Sequence, residues 1–368
     1  MIRVLFLTRY GPEAASSRQR FYNLVNSLKP SEIKCTIRPF FWNGYVAQRF
    51  ASKKPPGFYF KLFMAYIKRI LTLRRADDYD LIVVQAEIFP YVPAAIERIA
   101  LRRPNACIYD FDDAWFHRYD ENRGKLIKKV LGSKISRTMG QADAVVVGSH
   151  YLATYARRYQ ANLILLPTAV DLTRYPCELP AKKPGSPFTI GWIGSASTSI
   201  YLEGISGVLE DFRRAYNARI VIIGGSPKLS RVLNATYVNW AQNTEIDEIS
   251  TFDVGVMPLQ DTPFSRGKCA FKLIQYMACW KPVIGSPVGE NSIIIEHGLN
   301  GYLADTPQAW YEALERLIKD RNLAESMGRR GRRKVEEAFS TQVIAPQFEK
   351  ILKDALDSRR QAHNSPCH

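Results

Sequence analysis

The sequence predicts an α/β protein of two halves, each a parallel sheet with helices on both faces, and a last helix that returns to the first half. Three observations carry this. Apolar runs of strand length alternate with amphipathic helical stretches along the chain, the pattern of strands joined by helical crossovers. The proline-rich run PCELPAKKPGSP, from Pro176 to Pro187, interrupts that alternation and reads as a linker. The length, 368 residues, is too great for one ordinary domain and suits two.

The first half, 1–176, has strand candidates at Ile2–Thr8, Ile33–Phe40, Asp80–Gln85, Ala106–Tyr109, Ala142–Gly148 and Leu163–Pro167. Between the first two, Phe21, Leu24, Val25 and Leu28 recur at helical spacing and predict a helix over Ser17–Leu28. The linker takes 177–187. The second half, 188–340, repeats the scheme at Phe188–Ile193, Arg219–Gly224, Thr236–Trp240, Phe252–Pro258, Pro282–Ser286 and Gly301–Ala304. A charged helical region runs from about Pro307 to Arg359, broken near Phe339-Ser340, so 341–368 is expected to be the crossing helix and tail.

Hydrophobic residues make up 46% and aromatics 12%, enough for large cores and unlike a disordered or fibrous chain. Six cysteines lie scattered with no C-x-x-C pair and no histidine at ligand spacing, which fits buried free thiols in a reducing compartment. The opening apolar run is too short for a signal peptide or a membrane span, and a cytoplasmic protein is expected. The net charge of +16 favours an anionic partner. From Ile33 to Ala76 there is no acidic residue. Lys34, Arg38, Arg49, Lys53, Lys54, Lys61, Lys68, Arg69, Arg74 and Arg75 are interleaved there with Phe40, Phe41, Trp42, Tyr45, Phe50, Phe58, Tyr59, Phe60, Phe63 and Tyr66. This points to an anionic membrane surface at the inner face of the cell membrane. Nucleic acid would use the same charge, but no nucleic-acid-binding motif is present and none is expected as partner.

Four stretches have residues suited to chemistry. In the first, Thr8-Arg9-Tyr10-Gly11 leads from a strand to a helix start at Ser16-Ser17. Free N–H groups there suit an anion or a sugar hydroxyl, which makes Gly11 and Ser17 candidates, though a plain helix cap explains the serines equally well. The turn lacks G-x-G-x-x-G and so the dinucleotide fingerprint. In the second, Asp110, Asp112 and Asp113 follow a strand, where α/β proteins bind ligands. Asp112 and Asp113 are the catalytic candidates, against the alternative of a solvated loop. In the third, Gly194 and Ser195 close the first strand of the second half in a small-residue turn that a phosphate can approach. In the fourth, a helix read from Lys268 puts Lys268, Lys272 and Gln275 on one stripe beside a core stripe of Phe271, Ile274 and Ala278. That suits a diphosphate and a ribose, or else is a solvated lysine face. Gly289 and Asn291 follow in another glycine turn before a short helix.

The order of these pieces resembles family 4 of the retaining glycosyltransferases, of GT-B fold. Pro167-Thr168-Ala169-Val170-Asp171 is similar to the family's P-N-G-V-D, and Met277-Ala278-Cys279-Trp280-Lys281-Pro282-Val283 to its M-A-C-G-x-P-V. His297-Gly298-Leu299-Asn300-Gly301-Tyr302-Leu303 is similar to its H-G-x-N-G-x-L. The family's two glutamates before M-A-C-G are replaced by Gly267 and Gln275, its glycine after the cysteine by Trp280, and its His-Asp by the Asp110–Asp113 cluster. The resemblance implies two facing Rossmann-like domains with the active site in the cleft between them. The first domain would take a glycan or lipid-linked acceptor and the second a nucleotide diphosphate sugar, with retention and with neither metal nor cofactor. Bacterial surface polysaccharide or glycolipid synthesis is the implied setting. The missing glutamates leave open a non-catalytic GT-B partner subunit, and a nucleotide-sugar epimerase is a further alternative.

Overall fold

In the computed structural model, residues 1–50, 53–100, 105–122, 124–179 and 185–364 are described; residues 180–184 of the proline-rich linker, and Cys367, lie outside them. Twelve strands among the described residues form two parallel six-stranded sheets. The first comprises β1 (Ile2–Leu7), β2 (Ile33–Ile37), β3 (Leu81–Gln85), β4 (Ala106–Phe111), β5 (Ala144–Val147) and β6 (Leu163–Leu165), in the order β2-β1-β3-β4-β5-β6. The second comprises β7 (Thr189–Gly194), β8 (Arg219–Gly224), β9 (Thr236–Val238), β10 (Val254–Met257), β11 (Val283–Gly285) and β12 (Gly301–Leu303), in the order β12-β11-β10-β7-β8-β9. The second is the doubly wound Rossmann order and the first a flavodoxin-like one with a sixth strand.

β1, β3, β4 and β5 are apolar almost throughout because both faces of each sheet are covered, and their valines and isoleucines suit that environment. In each sheet the winding direction reverses once, between β1 and β3 and between β7 and β10. Loops at the carboxyl ends of such a strand pair splay apart and leave a crevice, the usual ligand site of an open α/β sheet.

The chain divides into two compact units, Met1–Ala169 with Thr341–His368, and Val170–Ser340. Ala169 belongs to the first unit's core and Val170 to the second's. Val170 and Ser340, the two ends of the second unit, pair in a parallel bridge, and the Val170 N–H donates to the Phe339 carbonyl at 2.8 Å. The helix Thr341–Asn364 packs Ile344, Ala345, Phe348 and Leu352 against Val4, Phe6 and Ile108 of the first sheet.

Three local expectations are corrected. Ser17–Leu28 is not one regular helix: Ala15–Ser17 and Asn23–Val25 flank a π turn at Arg18–Tyr22, whose wider winding accompanies the burial of Arg18, Gln19 and Arg20 together with Phe21. The helix expected from Lys268 spans Phe271–Ala278, because Ala270 is left-handed at φ 51° and separates Lys268 from it. The C-terminal helical region is three helices, Pro307–Lys319, Arg321–Ala338 and Thr341–Asn364, with an additional break at Asp320, which caps the second. Among the described residues no helix is long and apolar enough to cross a membrane.

Candidate active site

In the first unit the site is built on Gln85, the last residue of β3 and fully buried. Its Oε1 accepts from the Arg9 N–H at 3.0 Å and from the Ser17 hydroxyl at 2.7 Å, and its Nε2 donates to Ser16 Oγ at 2.9 Å. One side chain thus joins the carboxyl ends of β1 and β3 to the following helix start. Ser17 Oγ also accepts from the Tyr10 N–H at 3.1 Å, so this buried hydroxyl closes the loop instead of facing outward. Gly11 lies in the same loop, where its carbonyl accepts from the Ala14 N–H at 3.3 Å.

The three aspartates do not converge; Asp110 lies within β4, and Asp112 and Asp113 follow it. Asp110 is buried and held by the Arg20 guanidinium at 2.9 and 3.0 Å; burial still moves its pKa upward, with Arg20 opposing. Asp112 is also buried, accepting from the Ser16 hydroxyl and from Trp115 Nε1 at 3.1 Å. Asp113 is half-buried, and its carbonyl accepts from the Trp115 N–H at 2.7 Å. Asp112 therefore fixes Trp115, over whose ring lie the guanidinium carbons of Arg118 at 4.4 Å and Arg9 at 4.5 Å.

Arg9 belongs to a buried network that no local pattern in the sequence announces. It pairs with Glu87, whose other oxygen accepts from the Tyr119 hydroxyl at 2.7 Å and from Lys134 Nζ at 2.5 Å. Lys134 also reaches Glu97 at 2.9 Å. Burial alone would lower the Arg9 pKa, but Glu87 and Tyr10 together outweigh it and hold Arg9 above its ordinary value. For Glu97 burial dominates and raises the pKa, whereas the two cations keep Glu87 low despite burial. The available signal was positional: Arg9 and Glu87 each lie two residues beyond a strand of the β1/β3 reversal.

In the second unit, β7 ends at Gly194. A side chain there would collide with Trp192 and Thr198, so the glycine accommodates the buried indole. Ser195 begins the following turn, its N–H donating to Thr198 Oγ1 at 3.1 Å. Lys272, half-buried on the helix Phe271–Ala278, puts its Nζ 4.3 Å from the Trp192 ring centroid. Burial, and secondly the charge of Lys268, lower the Lys272 pKa to about 7. Lys268 Nζ lies 5.1 Å from the ring centroid of Phe264 and 5.8 Å from that of Tyr201. The two lysines are thus brought together even though one helix does not carry both. Gln275 is buried and hydrogen-bonded to Tyr175, a partner that helical spacing does not suggest.

Gly289 has φ 55° and passes so close to the Arg266 carbonyl that no side chain fits. Asn291 is buried and its Nδ2 donates to the carbonyls of Ser286 at 3.1 Å and Met257 at 3.3 Å, while its Oδ1 has no hydrogen-bond partner among the described residues. These two residues hold the carboxyl ends of β10 and β11 in place. A larger hollow of about 520 Å³, lined in part by Thr189, Arg219 and Asp253, opens at the amino ends of the strands and is not near these residues.

Two parallel sheets, each with polar side chains gathered at the carboxyl ends of its reversing strands, define a protein of GT-B fold. Solved structures agree. Sucrose-phosphate synthase from Thermosynechococcus elongatus superposes with a TM-score of 0.72 at 16% identity, covering 97% of this chain and 100% of that one. Anabaena HepE in complex with UDP gives 0.68 at 14% identity, covering 96% and 100%. Residues 187–320 match the family model "Glycosyl transferases group 1". N-acetyl-alpha-D-glucosaminyl L-malate synthase of Bacillus anthracis is 40% identical over 87 residues, 23% of each chain. The capsular polysaccharide biosynthesis glycosyltransferase CapM of Staphylococcus aureus is 26% identical over 185 residues, 46% of this chain and 47% of that one. The chain thus has the GT-B fold, and its residues 187–320 are similar to group 1 glycosyltransferases. Its matches span less than half the length of either curated relative.

Proposed function

We propose that the protein transfers a sugar, with retention and without a metal, from a nucleotide diphosphate sugar to a glycan or lipid-linked acceptor in bacterial surface polysaccharide or glycolipid synthesis. The observation that carries this reading is the Lys268–Lys272 pair beside Trp192. Burial and mutual repulsion disfavour the second positive charge, and a diphosphate between them would relieve both. Anabaena HepE was solved in complex with UDP, which supports a uridine diphosphate sugar as first donor to test. In the transfer, the anomeric carbon–oxygen bond to the diphosphate breaks as the acceptor oxygen bonds to that carbon on the same face. The acceptor proton passes to the departing phosphate, and the lysines stabilise its developing charge. Gly194, Ser195 and Gly289 would border the diphosphate, Gln275 and Asn291 would support the site from beneath, and Gly11 with Ser17 would shape the loop on the first unit. Asp113 would bind a hydroxyl, while Asp112 acts by positioning Trp115.

Peripheral docking on the cytoplasmic membrane face is part of the same proposal. The stretch read as basic and aromatic separates in the structure. Phe40, Phe41, Tyr45 and Phe58 are core residues, whereas Tyr59, Phe60 and Phe63 protrude from the helix Phe58–Arg74 beside exposed Lys61 and Lys68. The helix Lys125–Leu131 likewise exposes Leu126 and Val130 beside Lys125, Lys128 and Lys129. Exposed apolar residues among lysines suit an anionic bilayer surface.

A panel of UDP-, GDP- and dTDP-sugars, scored first by thermal shift and then by turnover with acceptor candidates, tests the reading. Transfer with the anomeric configuration kept supports it. Binding without turnover favours the partner-subunit alternative, and the absence of binding by any nucleotide overturns the donor assignment. Sedimentation with anionic but not neutral vesicles, lost in a Lys53, Lys54, Lys61 and Lys68 to Glu variant, tests docking.

A further inference from the structure

A hollow of about 310 Å³ opens at the carboxyl end of β1, lined by Arg9, Tyr10, Tyr45, Val46, Arg49, Tyr91 and Arg118. Three guanidiniums and three phenols border it, and among the described residues no carboxylate lines it. Arg9 is buried and fixed: Nη1 binds Glu87 and Nε donates to the Tyr10 hydroxyl at 3.1 Å, but Nη2 makes no hydrogen bond among the described residues. Arg118 is half-buried against Trp115, and its guanidinium makes no hydrogen bond or ion pair among the described residues. Arg49 is exposed on the helix Tyr45–Phe50. Glu87 pairs with Arg9, and Lys134 with both Glu87 and Glu97, so Arg49 and Arg118 are the charges left facing the hollow.

Two guanidiniums over one indole, with a third at the rim and no acid between them, repel one another where water screens them poorly. An anion entering the hollow removes that repulsion and takes up unused donors. Guanidinium forks match the oxygens of a phosphate, and several forks favour an anion of more than one charge over a single carboxylate. The tyrosines supply flat walls and hydroxyl donors at little conformational cost.

We propose that this hollow binds a phosphate or diphosphate group, and that this group belongs to the acceptor. The second clause rests on the transferase reading above; the first does not. The reacting acceptor would then be a sugar phosphate or a lipid-linked sugar diphosphate.

Inorganic pyrophosphate is the probe, titrated calorimetrically with UDP present at saturation to fill the donor side. Hydrogen exchange is followed on the peptides that contain Tyr45–Arg49 and Trp115–Tyr119. Each of Arg49→Gln and Arg118→Gln is expected to weaken pyrophosphate about tenfold, the loss of one charge-assisted contact. The double variant should lose the exchange protection while UDP affinity and melting temperature stay as in the parent. Arg118→Lys, which keeps charge but not the fork, should fall between. Unchanged pyrophosphate affinity in the double variant overturns the proposal, as does protection confined to the Gly194–Lys272 side. Citrate binding as tightly with the same variant dependence also overturns it, because phosphate would not be the group selected. Should UDP fail to bind, the pyrophosphate titration alone still decides on the hollow. Farnesyl diphosphate separates the two sources: binding much tighter than pyrophosphate marks a lipid-linked group, and equal binding marks a soluble one.

Discussion

Lys272 makes nucleotide binding depend on pH in a direction that the donor-site proposal fixes. Burial and the neighbouring Lys268 lower its pKa to about 7, so in the free protein at mildly alkaline pH the amine is mostly neutral. A bound diphosphate favours the charged form and returns the pKa towards its ordinary value, so binding takes up a proton between those two values. If the bound pKa regains the ordinary value of 10.5, affinity falls about fifteen-fold from about pH 7 to about pH 8.5, with proton uptake per nucleotide rising from about one half to close to one. The phosphate of UDP itself loses a proton as pH rises, which strengthens binding, so the nucleotide cannot cause the fall. Calorimetry in two buffers of different ionisation enthalpy measures affinity and proton uptake together. Lys272→Met should be flat across this range. A flat parent protein, or the same slope in Lys272→Met, refutes the reasoning. The same depression acts on stability: the unfolded chain binds the proton up to the higher pKa, so Lys272 makes stability rise with pH across that window, and Lys272→Met should remove this rise.

Lys268→Ala should weaken nucleotide diphosphate binding by about 1–3 kcal/mol, and unchanged affinity removes Lys268 from the donor site. Asp112→Asn should lower turnover with nucleotide affinity kept, because an amide cannot accept from both Ser16 and Trp115; Asp113→Asn should lower turnover through a lost hydroxyl contact. Full activity in both variants would make the cluster purely structural. Phe348→Ala, deleting a buried ring 6.2 Å from that of Phe6, should destabilise the first unit by about 3–5 kcal/mol in denaturant unfolding, and a loss under about 1 kcal/mol contradicts the packing described.

What the sequence disclosed and what it withheld follow from the range of the interactions. Strands β1, β3, β4 and β5 were legible because apolar β-branched runs report their own burial. Glycine turns were legible because they mark places where a side chain does not fit, although at Gly194 the close neighbour is Trp192. The start of the helix at Phe271 was not legible: nothing local in Ala270 announces its left-handed backbone. Gln275 was read as facing a ribose because its neighbours define a stripe, whereas its partner Tyr175 lies about a hundred positions earlier. The pairing of Arg9 with Glu87 spans 78 positions and exists only once β1 and β3 are adjacent. Local spacing placed the loops, and sheet order decided which side chains share them.

The different cations of the two units suit different tasks. The hollow of the first unit is lined by guanidiniums, a group that keeps its positive charge in proteins, and Glu87 helps hold the Arg9 pKa above its ordinary value. Such groups hold an anion whose charge stays constant, as a phosphate does when it serves only as a handle. Lys272 titrates near neutrality and stands beside a second lysine, so its charge responds to what is bound. A leaving diphosphate gains negative charge as its bond to the sugar breaks, and an amine with a lowered pKa becomes more fully protonated as that charge develops. Replacing Lys272 with Arg therefore separates the tasks. It should retain nucleotide binding and remove its pH dependence, since a guanidinium is charged throughout. Turnover should fall further than binding, because the planar fork over Trp192 cannot place its charge where the compact ammonium does. Equal turnover in Lys272→Arg and the parent would show that a fixed positive charge is all that this position supplies.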